Sequence, residues 1–279
     1  MATRKRKRKK SEKTYPVLAF ILIFLLLVVV PLGLMSLTDL KKPQEDPQTQ
    51  PTTTTPPKQN PNPYQKGDFV MENGFMTCLT TEGLPGIDVS SYQGQIDWQQ
   101  VQEAGIEFAF IRVGYRRSKD GVLGEDPMAK INLQGASEAG MKVGAYFFSQ
   151  ATSVEEAKEE AKLALDILQE FHLDLPLVYD WETVSGSQRT DGMTPQLWTD
   201  CMEAFCSTVE DAGYATMVYF NRELARTLLD VTQLKDRQVW FAMYDDYPDA
   251  PCKPDYWQYS DKGKIPGIEG DVDLNIYLP

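Results

Sequence analysis

The run Leu177-Val178-Tyr179-Asp180-Trp181-Glu182 ends an apolar stretch in two carboxylates spaced i, i+2. On a strand, side chains alternate faces, so Asp180 and Glu182 point one way and Trp181 the other. Two acids on one face at a buried strand end are costly unless hydrogen-bonded or used. Crowding and burial raise one pKa while the other group stays ionised. A proton donor beside an anion is the equipment of glycosidic bond cleavage. The plainer alternative is a strand-end acid pair answered by a nearby Arg or Lys.

Around this pair, short apolar runs alternate with amphipathic stretches. Strands are expected at residues 86–89, 108–113, 143–148, 177–179, 217–220, 239–242, 256–259 and 272–274. Helices are expected at 98–104, 127–139, 154–171, 195–212 and 222–229. In the third helix Ala157, Ala161, Ala164, Leu165 and Leu168 line one face, and Ser153 with Glu156 forms a capping-box signature. Gly105, Gly140 and Gly213 each follow an Ala at a helix end, where a C-terminal cap belongs.

Alternating strands and helices predict an α/β fold with a parallel sheet, and eight strands suggest a closed, modified TIM-like barrel. An open doubly wound sheet is the alternative. The helices thin out after the fifth strand, so loops should join the last three. Reactive groups of such barrels sit at strand C-terminal ends. Asp88 falls there on the first strand, Asp180 and Glu182 on the fourth, and Asp273 lies in the last. Closure would make the first and last strands neighbours, so that four acids converge on one mouth. Tyr92, Tyr115, Tyr146, Trp181, Tyr219, Tyr244 and Trp257 fall near the same ends, suited to stacking on sugar rings or to filling the core.

The flanking sequence is of another kind. Residues 4–10 are an unbroken basic run, and residues 17–35 are nearly pure apolar, long enough for one membrane span. The expected organisation is a cytoplasmic basic tail over 1–15 and a transmembrane signal anchor over 16–37. A Pro- and Thr-rich disordered extracellular linker over 38–67, a lead-in over 68–83 and a catalytic barrel over 84–279 follow. This locates the protein as a single-pass cell-membrane protein whose domain lies outside the cell.

From Leu84 onward, 16 Lys and Arg face 33 Asp and Glu, a net charge of −17. So acidic a domain excludes nucleic acid as a partner and accommodates a neutral polymer. His172 is the sole histidine, and no Cys-x-x-Cys pair occurs. Neither a structural zinc site nor a histidine-based nucleophile is expected, and no cofactor is implied. Cys201 and Cys206 share one expected helix; Cys78 with Cys252 is one candidate disulfide.

With these residues in place, the domain resembles glycoside hydrolase family 25, the Chalaropsis-type muramidases. The likeness is carried by Gly86-Ile87-Asp88-Val89-Ser90, Phe110-Ile111-Arg112-Val113-Gly114-Tyr115, Gly144-Ala145-Tyr146-Phe147 and Asp180-Trp181-Glu182. It continues through Trp240-Phe241-Ala242-Met243-Tyr244, Trp257-Gln258-Tyr259-Ser260 and Asp271-Val272-Asp273-Leu274-Asn275. The resemblance implies a barrel of eight strands and about five helices. It also implies hydrolysis of the β-1,4 bond between N-acetylmuramic acid and N-acetylglucosamine in peptidoglycan.

Carried over by position, Glu182 is the general acid, Asp180 its partner, and Asp88 and Asp273 the other acids of the mouth. Gln258 joins the aromatics as a substrate contact. Many members carry His where this chain has Phe147, which puts one substrate hydrogen bond in question. The catalytic domain is expected to be monomeric and to work on peptidoglycan glycan strands. A non-catalytic peptidoglycan-binding domain and a chitinase-like barrel glycosidase are the rival readings.

Overall fold

The computed structural model describes residues 59–279 apart from Ser187. Eight strands close a barrel: β3 (Leu84–Val89), β4 (Phe108–Arg116), β6 (Lys142–Ser149), β7 (Leu177–Trp181), β8 (Thr216–Asn221), β9 (Gln238–Ala242), β10 (Tyr256–Gly263) and β11 (Val272–Tyr277). A hairpin, β1 (Phe69–Glu72) with β2 (Phe75–Cys78), precedes them, and β5 (Leu123–Glu125) folds back on β4. Helices α1 (Trp98–Glu103), α2 (Ala129–Glu138), α3 (Val154–Leu168), α4 (Pro195–Asp211) and α5 (Arg222–Thr227) make the crossovers. No α-helix follows β9 or β10, as the thinning pattern predicted.

The parallel rule breaks once. β11 runs antiparallel to both of its neighbours, β10 and β3. Its first residues therefore reach the rim where the other strands end, and Asp273 arrives at the mouth from the beginning of its strand.

Alternation sorts each strand into two layers. Phe108, Phe110, Tyr146, Val178, Met217, Tyr219, Trp240 and Tyr256 fill the barrel interior. Ala109, Ile111, Val143, Ala145, Leu177 and Tyr179 face the helices. Phe110 stacks on Trp240 with centroids 4.8 Å apart. These rings fit because Gly86 and Gly144 bring bare backbone against Phe108 and Phe110, where a Cβ would collide.

The helix ends follow local chemistry. Ser153 Oγ accepts the Glu156 amide at 3.2 Å, but the Glu156 carboxylate takes the Thr152 amide at 2.8 Å, so the capping box is only half formed. α2 and α3 are shorter than expected. Pro127 lies outside α2, and residues 169–171 leave α3 in a turn.

The outer faces of β10 and β11 carry no helix, and the lead-in covers them. Phe69 packs edge-on to Trp257 at 4.9 Å, Tyr64 packs on Phe69 at 5.5 Å, and the Met76 amide donates to Tyr259 Oη at 3.3 Å. Asn62 Nδ2 donates to Pro248 O at 2.7 Å, and the Lys253 amide donates to Asn60 O at 2.8 Å. Composition assigns residues 60–66 to a disordered linker; here they form a strap, with Tyr64 buried. The apolar rings left bare by the missing helices account for the difference.

All four cysteines are buried free thiols, so Cys78 and Cys252 are not bridged. His172 is exposed, with Asp174 3.8 Å away. Among the described residues no helix is long and apolar enough to cross a membrane. The expected span over 16–37 lies outside the described residues.

Candidate active site

A cleft of about 720 Å³ opens where the parallel strands end. Asp88, Asp180, Glu182 and Asp273 all line it. Asp88 sits one residue from the end of β3, Asp180 is the penultimate residue of β7, and Glu182 is the first residue past β7. Asp273 and Asp88 are paired across the β11–β3 ladder. In an antiparallel pair, opposed residues project from the same face.

Asp88 is the best supported of the four. Its Oδ2 accepts Nε2 of Gln258 and Nδ2 of Asn275, both at 2.8 Å. Asn275 is fixed in turn by Trp240 Nε1 at 2.8 Å. Gln258 Oε1 takes the Tyr244 hydroxyl at 3.1 Å and the Tyr219 hydroxyl at 3.4 Å. One amide therefore ties two cleft tyrosines to one carboxylate.

Burial raises all four acids. Asp88 reaches about 6, because the amides of Asn275 and Gln258 offset much of its desolvation. Glu182 reaches about 7, through desolvation first and the Asp273 charge second, with the neighbouring Tyr219 hydroxyl opposing. Asp273 reaches about 8, through desolvation, the Asp88 charge and a carboxyl–carboxyl hydrogen bond that keeps the proton on Asp273.

Asp180 is pushed well above the usual carboxylate range by desolvation and by the charges of Glu182 and Asp88, with Arg112 opposing. It is 4% exposed, and its buried Oδ1 has no hydrogen-bond partner among the described residues. The sequence pattern predicts one raised carboxyl beside an ionised one; here both Asp180 and Glu182 are raised, chiefly by burial, while two amides hold Asp88 down.

Five of the seven expected aromatics line the cleft: Tyr92, Tyr115, Tyr146, Tyr219 and Tyr244. Tyr92, 85% exposed, stands on the 3-10 turn after β3, which Ser90 and Gln93 cap reciprocally. The two tryptophans do not line it. Trp181 (1% exposed) faces the helix layer and donates Nε1 to Ala151 O at 3.3 Å, as alternation along β7 requires. Trp257 (0% exposed) donates Nε1 to Met243 O at 2.8 Å and packs on the strap. Phe147 is also buried in the outer layer, beside Phe205, so a side chain there does not reach the mouth. Loss of His at that position removes no direct cleft contact.

Arg112, Phe148 and Trp240 line the cleft although sequence reasoning did not single them out. The inward parity of 108, 110 and 112 on β4 was the available signal for Arg112. Arg112 Nε donates to Asp126 at 2.8 Å, and its guanidinium lies 5.1 Å from the Tyr92 ring centroid and 5.5 Å from that of Tyr115.

The architecture and cleft define a class, an α/β barrel with a carboxylate mouth walled by tyrosines. The chain belongs to the glycosyl hydrolases family 25, whose profile matches residues 87–268. It is similar to the autolytic lysozyme of Clostridium acetobutylicum, 28% identical over 195 residues, covering 70% of this chain and 56% of that protein. It is also similar to Lysozyme M1 of Streptomyces globisporus, 27% identical over 221 residues, covering 71% of this chain and 68% of that protein. The fold is shared with the modular autolysin LytC of Streptococcus pneumoniae, solved in complex with a synthetic peptidoglycan ligand. That match has a TM-score of 0.63 at 24% identity and covers 75% of this chain and 52% of that one. The match thus spans little more than half the length of the Clostridium and Streptococcus proteins.

Proposed function

We propose that this chain is a peptidoglycan muramidase, hydrolysing the β-1,4 bond between N-acetylmuramic acid and N-acetylglucosamine. The observation that carries this reading is Glu182, held by burial to about 7 in a cleft whose other acids are also raised. A carboxyl still protonated near neutral pH can donate to the leaving glycosidic oxygen. Family membership and the lysozyme-named relatives support the same substrate.

Asp180 suits a substrate-assisted route. Lining the cleft, its carboxylate would hold the N–H of a sugar acetamido group. The acetamido oxygen would attack the anomeric carbon as the glycosidic C–O bond breaks and Glu182 protonates the leaving oxygen. Water would then open the ring so formed and return its proton to Glu182, with retention overall. Water activation by Asp180, with inversion, is the alternative. Tyr92, Tyr115, Tyr146, Tyr219 and Tyr244 would stack on sugar rings or bond their hydroxyls.

The anchor completes the proposal. The basic run over 4–10, followed by the apolar stretch over 17–35, supports a single-pass protein with its barrel outside, facing the wall. The barrel would act as a monomer.

Mass spectrometry of purified cell walls digested with the chain tests the activity. New reducing ends should be N-acetylmuramic acid, and Glu182→Gln protein should produce none. Reducing N-acetylglucosamine would point to another glycosidase. Binding without any new ends would leave a wall-binding domain.

A further inference from the structure

The domain from Leu84 onward has only 16 basic residues against 33 acids, yet four of the 16 line this one cleft: Arg112, Arg116, Arg117 and Lys119. Two are committed to the protein. Arg112 is bound to Asp126, and Arg116 Nε donates to the fully buried Glu160 at 2.7 Å. The other two stand on the β4–β5 turn. Arg117, its side chain 57% exposed, pairs with exposed Asp120. Lys119 is exposed and has no carboxylate within 4.0 Å among the described residues.

The turn is built to stay where it is. The Gly121 amide donates to Arg117 O at 2.9 Å, and the Arg117 amide donates to Val122 O at 3.0 Å. Arg116 Nη1 donates to Gly121 O at 2.8 Å, and the Arg189 amide donates to Ser118 O at 3.3 Å. Arg189 itself is fastened to α3 through Glu156. Ion pairs and backbone hydrogen bonds thus hold a turn that presents two exposed cations at the lip of a cleft lined by four acids.

A neutral sugar chain gives such a lip nothing to pair with. The muramic acid lactyl group is different: it carries a carboxylate when free, and a peptide with its own carboxylates when substituted. The lip would attract these groups. Resting on the muramidase reading above, we infer that Arg117 and Lys119 form a subsite for carboxylates borne on the muramoyl lactyl group. The lip orients the polymer in the cleft by charge and thereby discriminates muramic-acid glycans from uncharged ones.

The test compares three soluble glycans of equal length. One carries peptide stems, one is stripped by an amidase so that only the lactyl carboxylate remains, and one has every carboxylate converted to an amide. Arg117→Gln/Lys119→Gln should raise KM about three- to tenfold on a charged glycan relative to the amidated one, the size expected for two exposed pairs. Lys119→Glu should deepen the loss, and added salt should shrink it. A shift on the stripped glycan assigns the free lactyl carboxylate; a shift on the stem-bearing glycan alone assigns the carboxylates of the peptide. An equal change on all three glycans, or none on any, overturns the subsite. Sedimentation of Glu182→Gln protein with the same three glycans reads the preference without turnover. Charge-dependent binding by a chain that cleaves nothing would uphold the lip and refute the hydrolase.

Discussion

Asp273 and Asp88 face each other across the antiparallel seam that closes the barrel between β11 and β3, its last and first strands. Their carboxyls share a proton: amides on Asp88 favour its anion, and the proton stays with Asp273. This seam pair acts on Glu182, whose largest charged neighbour is Asp273.

The first prediction follows from that sign. Where the two groups titrate together, near 7 to 8, a negative charge forming at 273 raises the Glu182 pKa, so Asp273→Asn should lower it. The basic limb of the pH–rate profile, which reports loss of the proton from Glu182, should move to lower pH in the activity that remains. Because the acids titrate as a cluster, the limb belongs to the group and its displacement is the quantity to read. An unmoved limb would mean that Glu182 does not sense the seam.

The second prediction separates chemistry from folding. Glu182→Gln should lose activity by about 100-fold or more, the usual worth of a general acid, while keeping the fold. Circular dichroism and wall-lysis assays on one preparation decide this. Full activity in the folded variant would remove Glu182 from the mechanism.

Asp180→Asn should be inactive yet more stable. A carboxyl whose folded pKa lies above its unfolded value keeps its proton in the folded state longer, so folding loses stability as pH rises from the unfolded value through the folded one. Asp180 is fully buried and raised, so it weakens the fold at pH 8. A neutral amide should recover stability there and little near pH 4. Urea melts at the two pH values measure the difference; a variant less stable at pH 8 contradicts it.

Phe147→His should damage the fold without improving catalysis. The side chain at 147 lies against Phe205, and a Cβ on Gly114 would meet its ring. Replacing that ring with a smaller polar one should cost about 2–4 kcal/mol. A gain in activity from this change would show that position 147 reaches substrate.

For the proposed topology, protease added outside intact protoplasts should release the acidic barrel and leave the basic end protected. A barrel cut only after lysis would reverse the orientation.

Much of this was legible in the sequence because alternation is local physics. The parity of Asp180, Trp181 and Glu182 placed two side chains in the mouth and one in the helix layer. The same rule would have turned Trp181 away from substrate, had it been applied to the aromatics as strictly as to the acids. Closure brought Asp88 and Asp273 together from opposite ends of the domain. The direction of β11 was not legible, because a short loop joining two strands has no handedness to read. Nor was the order of the pKa values, since it depends on amides from β10 and β11 that reach Asp88 only after folding. The strap escaped composition because its prolines resemble a linker, while its one anchoring ring, Tyr64, is buried only once Phe69 of the lead-in has packed on Trp257.

That strap also gives the molecule a polarity. Gln59 and Asn60 contact Lys235 and Lys253, ahead of the starts of β9 and β10, whereas Lys66 reaches Asp246, past the end of β9. The polypeptide thus boards the barrel at its base and climbs its flank, and the mouth opens at the opposite pole, roughly 20 Å away across strands of this length.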